Sequence, residues 1–281
     1  MSTITLTASM RSNLSSLKTI QSQMDKTQER LSTGKKVNSA IDNASSFYQA
    51  RALTNRASDL DGLLDSMGQG IQTIQAANEG IEAITSFVDQ MKSVAQSAFA
   101  LEKPGAGATE AETKAYTDAL ADYAKQFDAI AKEIKAVVDD ASYQGINLLN
   151  GGKLTVTFNE TRSNKFEITG DDVVTKMGIG AAKDVWADPT TVDESIGQIS
   201  KAIDYLRSYS TQLGNNYSII ETRQNFTESM IDVLETGADK LVLADMNEES
   251  ANYLALQTRQ QLAVNSLALA SQSAQSVLSL F

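Results

Sequence analysis

The 281-residue chain contains no cysteine and no histidine. Those two absences exclude disulfide bonds, thiolate nucleophiles, imidazole bases and every zinc site built on sulfur or imidazole. Proline occurs twice and tryptophan once, beside eight tyrosines and eight phenylalanines. Few helix breakers and few large rings, with abundant Ala, Ser, Gln, Leu and Asp, give the palette of long helices packed through small residues. Neither end carries the uninterrupted run of about 20 apolar residues that a membrane span requires, so no membrane insertion is expected. The opening residues, MSTITLTASMRSNL, lack a basic stretch followed by an apolar run and a small-residue cleavage site, which argues against signal-peptide secretion. Clustered basic residues are scarce too: at a net charge of −11 the chain is no partner for nucleic acid, and the charge serves solubility.

The informative residues gather at the two ends. Ala251 to Phe281 holds one charged side chain, Arg259, and neither glycine nor proline. Val264, Leu267, Ser271, Ala274, Leu278 and Phe281 step by three and four, while Leu256, Ala263, Ala270 and Val277 step by seven. Two neighbouring stripes make a helix apolar over most of its circumference, suited to burial among several helices. At the other end Met10, Leu17, Met24 and Leu31 keep a strict seven-residue spacing, with Asn13, Ile20 and Thr27 three positions later and Leu14 beside them. Both termini therefore read as helices that need protein partners.

Between them, Ser32 to Lys36 reads as a helix stop and Val37 to Asn43 as a polar connection. Apolar residues from Leu53 to Ala98 then predict a second helix of about 50 residues. Pro104 to Gly107 breaks it, and Thr109-Glu110-Ala111-Glu112 supplies a capping box for a third helix. Its seam, Tyr116, Leu120, Tyr123, Phe127, Ile130, Ile134 and Val137, alternates steps of four and three. From Gly145 to Gly170 the period drops to two: Leu154, Val156 and Phe158, then Phe166 and Ile168 after a polar turn, predict a β-hairpin. Asp171 to Thr191, with Trp186, reads as a compact loop or short strands. A further long helix runs from Ile196 and fades near Gly237, and the terminal helix starts after Met246. The expected fold is mostly α: an elongated antiparallel helical bundle or coiled coil with one β-hairpin, its termini together.

The run from Arg30 to Ala44, RLSTGKKVNSAIDNA, closely resembles the signature that joins the first two helices of bacterial flagellins, and Gln275 to Phe281 resembles the flagellin carboxyl-terminal ending. The resemblance covers about residues 1 to 145 and 190 to 281. It implies an inner coiled-coil domain formed by residues 1–33 and 247–281, and an outer domain of long helices over 34–246. The outer domain would carry the hairpin at about 145–170 and a variable segment at about 171–191, too short for the large surface domains the family often inserts there. It implies a structural subunit of the helical flagellar filament that serves swimming motility outside the cell. The polymer would be a homopolymer, alone or mixed with other flagellins. Unfolded export through the flagellar type III apparatus is implied, with an export chaperone, the filament cap and hook-junction proteins as further partners. The alternative is a hook–filament junction protein, which resembles flagellin at both ends.

No cofactor, metal or catalytic site is expected. Asp139-Asp140 and Asp171-Asp172 are adjacent acidic pairs suited to a solvated surface, and the chain has neither a phosphate-binding glycine loop nor a metalloprotease HExxH motif. The residues expected at contacts between subunits are Leu14, Leu17, Ile20, Met24 and Leu31 at the front, with Leu256, Val264, Leu267, Leu278 and Phe281 at the back. Each stripe needs neighbours to offset the entropy of ordering it, so both terminal segments are expected to be mobile in the monomer and helical in the polymer. The resemblance also aligns Asp89 to Ser97 with the stretch read by the flagellin-sensing Toll-like receptor. Gln90 stands there in place of the key arginine and Val94 follows, which implies weak recognition. Asn-x-Ser/Thr triplets such as those at Asn159, Asn216 and Asn225 are of a kind that chance supplies in a polar chain.

Overall fold

The computed structural model describes residues 8–182 and 186–278. The elements are α1 (Ala8–Thr33), α2 (Ala44–Phe99), α3 (Glu110–Asp140), β1 (Lys153–Thr157), β2 (Lys165–Thr169), α4 (Val173–Met177), α5 (Pro189–Val242) and α6 (Met246–Leu278). Two compact units form: Met1–Ala57 with Asp232–Phe281, and Ser58–Ile231. Among the described residues no helix is long and apolar enough to cross a membrane.

The larger unit is built around α2, α3 and α5. Met67, Ile74, Ile84 and Met91 from α2, Leu120 and Phe127 from α3, and Ile199, Leu206, Leu213 and Ile220 from α5 are fully buried in one cluster. At three- and four-residue spacing each helix turns one continuous apolar stripe inward, and burying such a side chain contributes roughly 1.5–3 kcal/mol. Helix α3 starts where its capping box sits. The Thr109 hydroxyl accepts from Glu112 N, and Glu112 accepts from Thr109 N at 2.8 Å. Its buried face is Tyr116, Leu120, Ala124, Phe127, Ile134 and Val138, with Tyr123, Ile130 and Val137 half-covered alongside.

Strands β1 and β2 pair antiparallel, Leu154 opposite Ile168 and Val156 opposite Phe166, so the alternating apolar residues share one face. Phe158 stacks on Phe166 with ring centroids 6.2 Å apart, and the Arg223 guanidinium lies 5.4 Å from the Phe158 ring centre. The base of the hairpin is pinned to α5 by two tyrosines. The Tyr209 hydroxyl donates to Leu148 O at 2.7 Å, and Tyr205 donates to Asp171 Oδ2 at 3.0 Å. Burial, with the nearby Asp171 carboxylate, pushes both phenols above their ordinary range, so they stay protonated donors. Gly170 belongs to the same joint: a β-carbon there would strike the Leu148 backbone, and only glycine allows the approach.

Two local expectations change. Asp171 to Thr191 is neither a plain loop nor strands, because Asp172 caps the short helix α4 by accepting from Thr175 N and Gly178 closes it in the left-handed conformation at φ 63°. Trp186 folds back, its indole donating to Ser195 Oγ at 2.9 Å while its ring centre lies 5.0 Å from that of Phe127. Helix α5 does not fade at Gly237 but continues to Val242. A β-carbon at Gly237 would meet Leu53 Cδ1 at 3.4 Å, so the glycine marks close helix packing rather than an end.

Candidate functional site

In the smaller unit α1 and α6 pack antiparallel, and their seam is a heptad on both sides. Helix α1 turns Met10, Asn13, Leu17, Ile20, Met24, Thr27 and Leu31 toward it, with Met10 and Thr27 buried and the others half-buried. Helix α6 answers with Glu249, Tyr253, Leu256, Gln260, Ala263, Leu267 and Ala270. Two polar pairs fix the register: Arg30 Nη1 donates to Glu249 Oε1 at 2.7 Å, and Gln260 Nε2 donates to Gln21 Oε1 at 2.6 Å. Glu249 keeps only 10% of its side chain exposed and Arg30 keeps 33%. Removing the cation strands a nearly buried carboxylate, so Arg30→Met should weaken the α1–α6 pair by about 1–3 kcal/mol. Hydrogen exchange of monomer amides should show faster opening in the first turns of α6 while exchange in α3 is unchanged.

The face of α6 turned away from α1 is also apolar. Leu254, Leu262 and Leu269 are 62%, 60% and 67% exposed, and with Ala251, Thr258 and Asn265 they form a stripe without charge. Three leucines on one uncharged line make a contiguous exposed apolar patch. Sequence reasoning passed over them; their spacing of eight and seven was a legible signal, hidden by stronger stripes on the same helix. Of the residues expected at subunit contacts, Leu17, Ile20, Met24 and Leu31 lie half-buried on the intrachain seam, as does Leu267, and Leu256 is buried there. Leu14 and Val264 stand at its edges, 45% and 49% exposed. Leu278 ends α6 with its side chain outside what the structure describes, and Phe281 lies outside the described residues.

The α1–α2 and α5–α6 connections are tied to each other. Gly34, at φ 71°, turns the chain out of α1, and its carbonyl accepts from Ala244 N at 2.9 Å. Lys36 N and Val37 N both donate to Val242 O, and Val37 is buried beneath them. The next turn is held by the Asp42 carboxylate, which accepts from Asn38 N, Ser39 N and Ser39 Oγ at 3.0–3.2 Å. The Ser39 and Asn38 amides hold this carboxyl below its usual range, with the Ser39 hydroxyl and Lys26 adding to the effect. A depressed folded value means that the turn gains stability above the unfolded value, near pH 4, and loses it as pH falls through the folded one. The amide shifts of Asn38 and Ser39 should therefore titrate below the ordinary aspartate range, and Asp42→Asn should abolish that titration.

The remaining candidates are brought to no common site. Gln90 is exposed on α2 and Val94 half-buried. Asp139 and Asp140 are exposed at the end of α3, Asp172 is a helix cap, and Asp171 is bonded to Tyr205 and Tyr209. Asn159 organises the hairpin turn, donating to Thr161 Oγ1 and Ser163 Oγ. Among the described residues no cluster of three or more carboxylates could hold a metal ion.

A heptad pair of terminal helices with an exposed apolar face, joined to a helical unit with a β-hairpin, is the framework of a helical structural subunit. Residues 2–153 match the bacterial flagellin N-terminal helical region, and residues 196–281 match the bacterial flagellin C-terminal helical region. A flagellin of Brucella melitensis is 30% identical over 100% of this chain and 99% of its own length. Flagellin FljK of Caulobacter vibrioides is 28% identical over 95% of this chain and 94% of its own. A crystal structure of Bacillus cereus flagellin overlaps loosely, with a TM-score of 0.45 at 13% identity over 57% of this chain and 86% of that one. The chain belongs to the bacterial flagellin family. It is a structural subunit that polymerises with flagellin subunits into the helical filament for swimming, and the full-length likeness to flagellins favours the filament over the hook junction.

Proposed function

We propose that the α1–α6 pair does the assembling, with the seam closed inside each copy and the outer stripe of α6 covered by neighbouring copies. The observation that carries this reading is the uncharged line of Leu254, Leu262 and Leu269, each 60% exposed or more. Half-buried seam residues such as Leu17, Ile20, Met24, Leu31 and Leu267 gain their remaining cover in the polymer, together with Leu14, Val264, Leu278 and Phe281. Residues 1–33 and 247–281 then act as the inner domain of the filament, and 34–246 as the outer one. The filament stands outside the cell, and the chain reaches it unfolded through the flagellar export apparatus, handled by a chaperone and folded under the cap. Nothing in this role calls for bond chemistry, which supports reading the chain as a structural protein and not an enzyme. With Gln90 where an arginine would offer a planar donor fork, recognition by the flagellin-sensing Toll-like receptor is weak.

Hydrogen exchange on monomers and on sheared filaments tests the core of this reading. Amides of α1 and α6 should exchange faster in the monomer than in the filament, where they become strongly protected. Equal protection in both states would mean that the terminal helices gain no cover on assembly.

A further inference from the structure

The α1–α2 connection presents one side chain that its own unit leaves bare. Ile41 is 97% exposed, the most exposed of the large apolar side chains among the described residues. Slack does not put it there. The turn beneath it is closed by Asp42 N donating to Ser39 O and by three hydrogen bonds into the Asp42 carboxylate, and its stem is anchored on Val242 O. An isoleucine held out on a braced turn is a knob. Beside it is a small hollow in which Arg30 is paired with Glu249 and Lys26 with Asp42, so that Lys35 and Lys36 against Glu29 leave the surroundings net positive.

The larger unit carries a groove of about 740 Å³ between α2 and α5. Ile74 and Leu213 form its floor, each at most 2% exposed, and Gln75, Glu79, Tyr143 and Tyr217 line its walls. It continues along the same two helices into a second hollow that shares Ser210 and includes Glu82 and Arg207. Asp204 lies 3.8 Å from Arg207, so Glu79 and Glu82 leave this surface net negative. Gly214 opens the wall: a β-carbon there would meet nothing within 4 Å.

A subunit that builds an open filament must repeat a heterologous contact, in which one patch of each copy meets a different patch of the next. We infer that Ile41 of one copy seats in the α2–α5 groove of a second copy, with the lysines around the knob facing the glutamates along the groove. The inference rests on the polymer described above and adds a contact outside the terminal helices. Opposite charge at the margins, and a groove wide enough to admit an isoleucine side chain, are the features that match the knob and its surroundings.

Because the chain has no cysteine, the contact can be tested with single thiols. Ile41→Cys and Gly214→Cys copies are mixed with wild-type copies, polymerised on wild-type seeds and treated with a short bis-maleimide. Filaments containing both variants should yield a covalent dimer whose peptide map joins positions 41 and 214. Filaments containing one variant, and unpolymerised mixtures, should yield none. In parallel, Ile41→Asp copies that are folded by circular dichroism should need a roughly ten- to hundredfold higher concentration to elongate seeds. Exclusion of folded Ile41→Cys copies from the filaments would agree with that loss. Mixed filaments that carry both thiols yet give no 41–214 link, or Ile41→Asp copies that elongate like wild type, overturn the contact. Wild-type protein that fails to elongate seeds would instead count against the assembly reading on which it rests.

Discussion

Leu262→Asp should leave a folded monomer that no longer adds to filaments. Leu262 lies in the middle of the uncharged stripe of α6, 60% exposed and turned away from α1, so its replacement disturbs no contact described within the chain. Aspartate costs a helix interior only up to about 0.7 kcal/mol relative to the best helix formers, too little to unfold α6. In the polymer the balance is different. Covering a leucine contributes roughly 1.5–3 kcal/mol, and an unpaired carboxylate in its place adds a desolvation penalty of at least similar size. Together these raise the monomer concentration in equilibrium with filament by roughly a thousandfold. Pelleting of seeded reactions measures it directly, with circular dichroism of the supernatant confirming that the helices persist. Normal pelleting of Leu262→Asp would show that the outer stripe stays uncovered in the filament.

Phe127→Ala should have the largest effect on the stability of the unit formed by Ser58–Ile231. The ring is wholly buried in the core cluster and tilts against Trp186 at 5.0 Å. Truncating a buried phenylalanine removes transfer energy and leaves a cavity, at a cost of about 3–5 kcal/mol. Trp186 is the only tryptophan, so its emission reports on this site alone. The urea midpoint followed by fluorescence should fall steeply for the variant, with an altered native spectrum because the indole loses the ring beside it. Hydrogen exchange in α1 and α6 should stay close to wild type. A midpoint within error of the original would mean that Phe127 is not central to that core.

The heptad of α3, the capping box at Thr109 and the alternation in β1 and β2 were all readable in the sequence, because each is a local signal answered by local geometry. Helix α4 escaped notice since five residues hold too little period to register, and its existence rests on the Asp172 cap and on Gly178. Gly237 looked like a stop because periodicity cannot show the helix that packs against a glycine.

The faces of α6 were harder for a physical reason. A helix apolar nearly all round has no single inward side by composition. The choice is made by Arg30 with Glu249 and Gln21 with Gln260, partners 219 and 239 residues apart. Long-range polar pairs of that kind leave no mark on a local window. Ile41 was hidden differently: within a polar connection one isoleucine is unremarkable, and only the hydrogen-bonded turn around Asp42 makes it a fixed projection.

The ties between the two connections also govern how force passes through each copy. Since Lys36 and Val37 hang on Val242, and Ala244 hangs on Gly34, neither linker can stretch without dragging the other. A spinning tube therefore strains both as one cable, and no single thread of backbone takes the torque first.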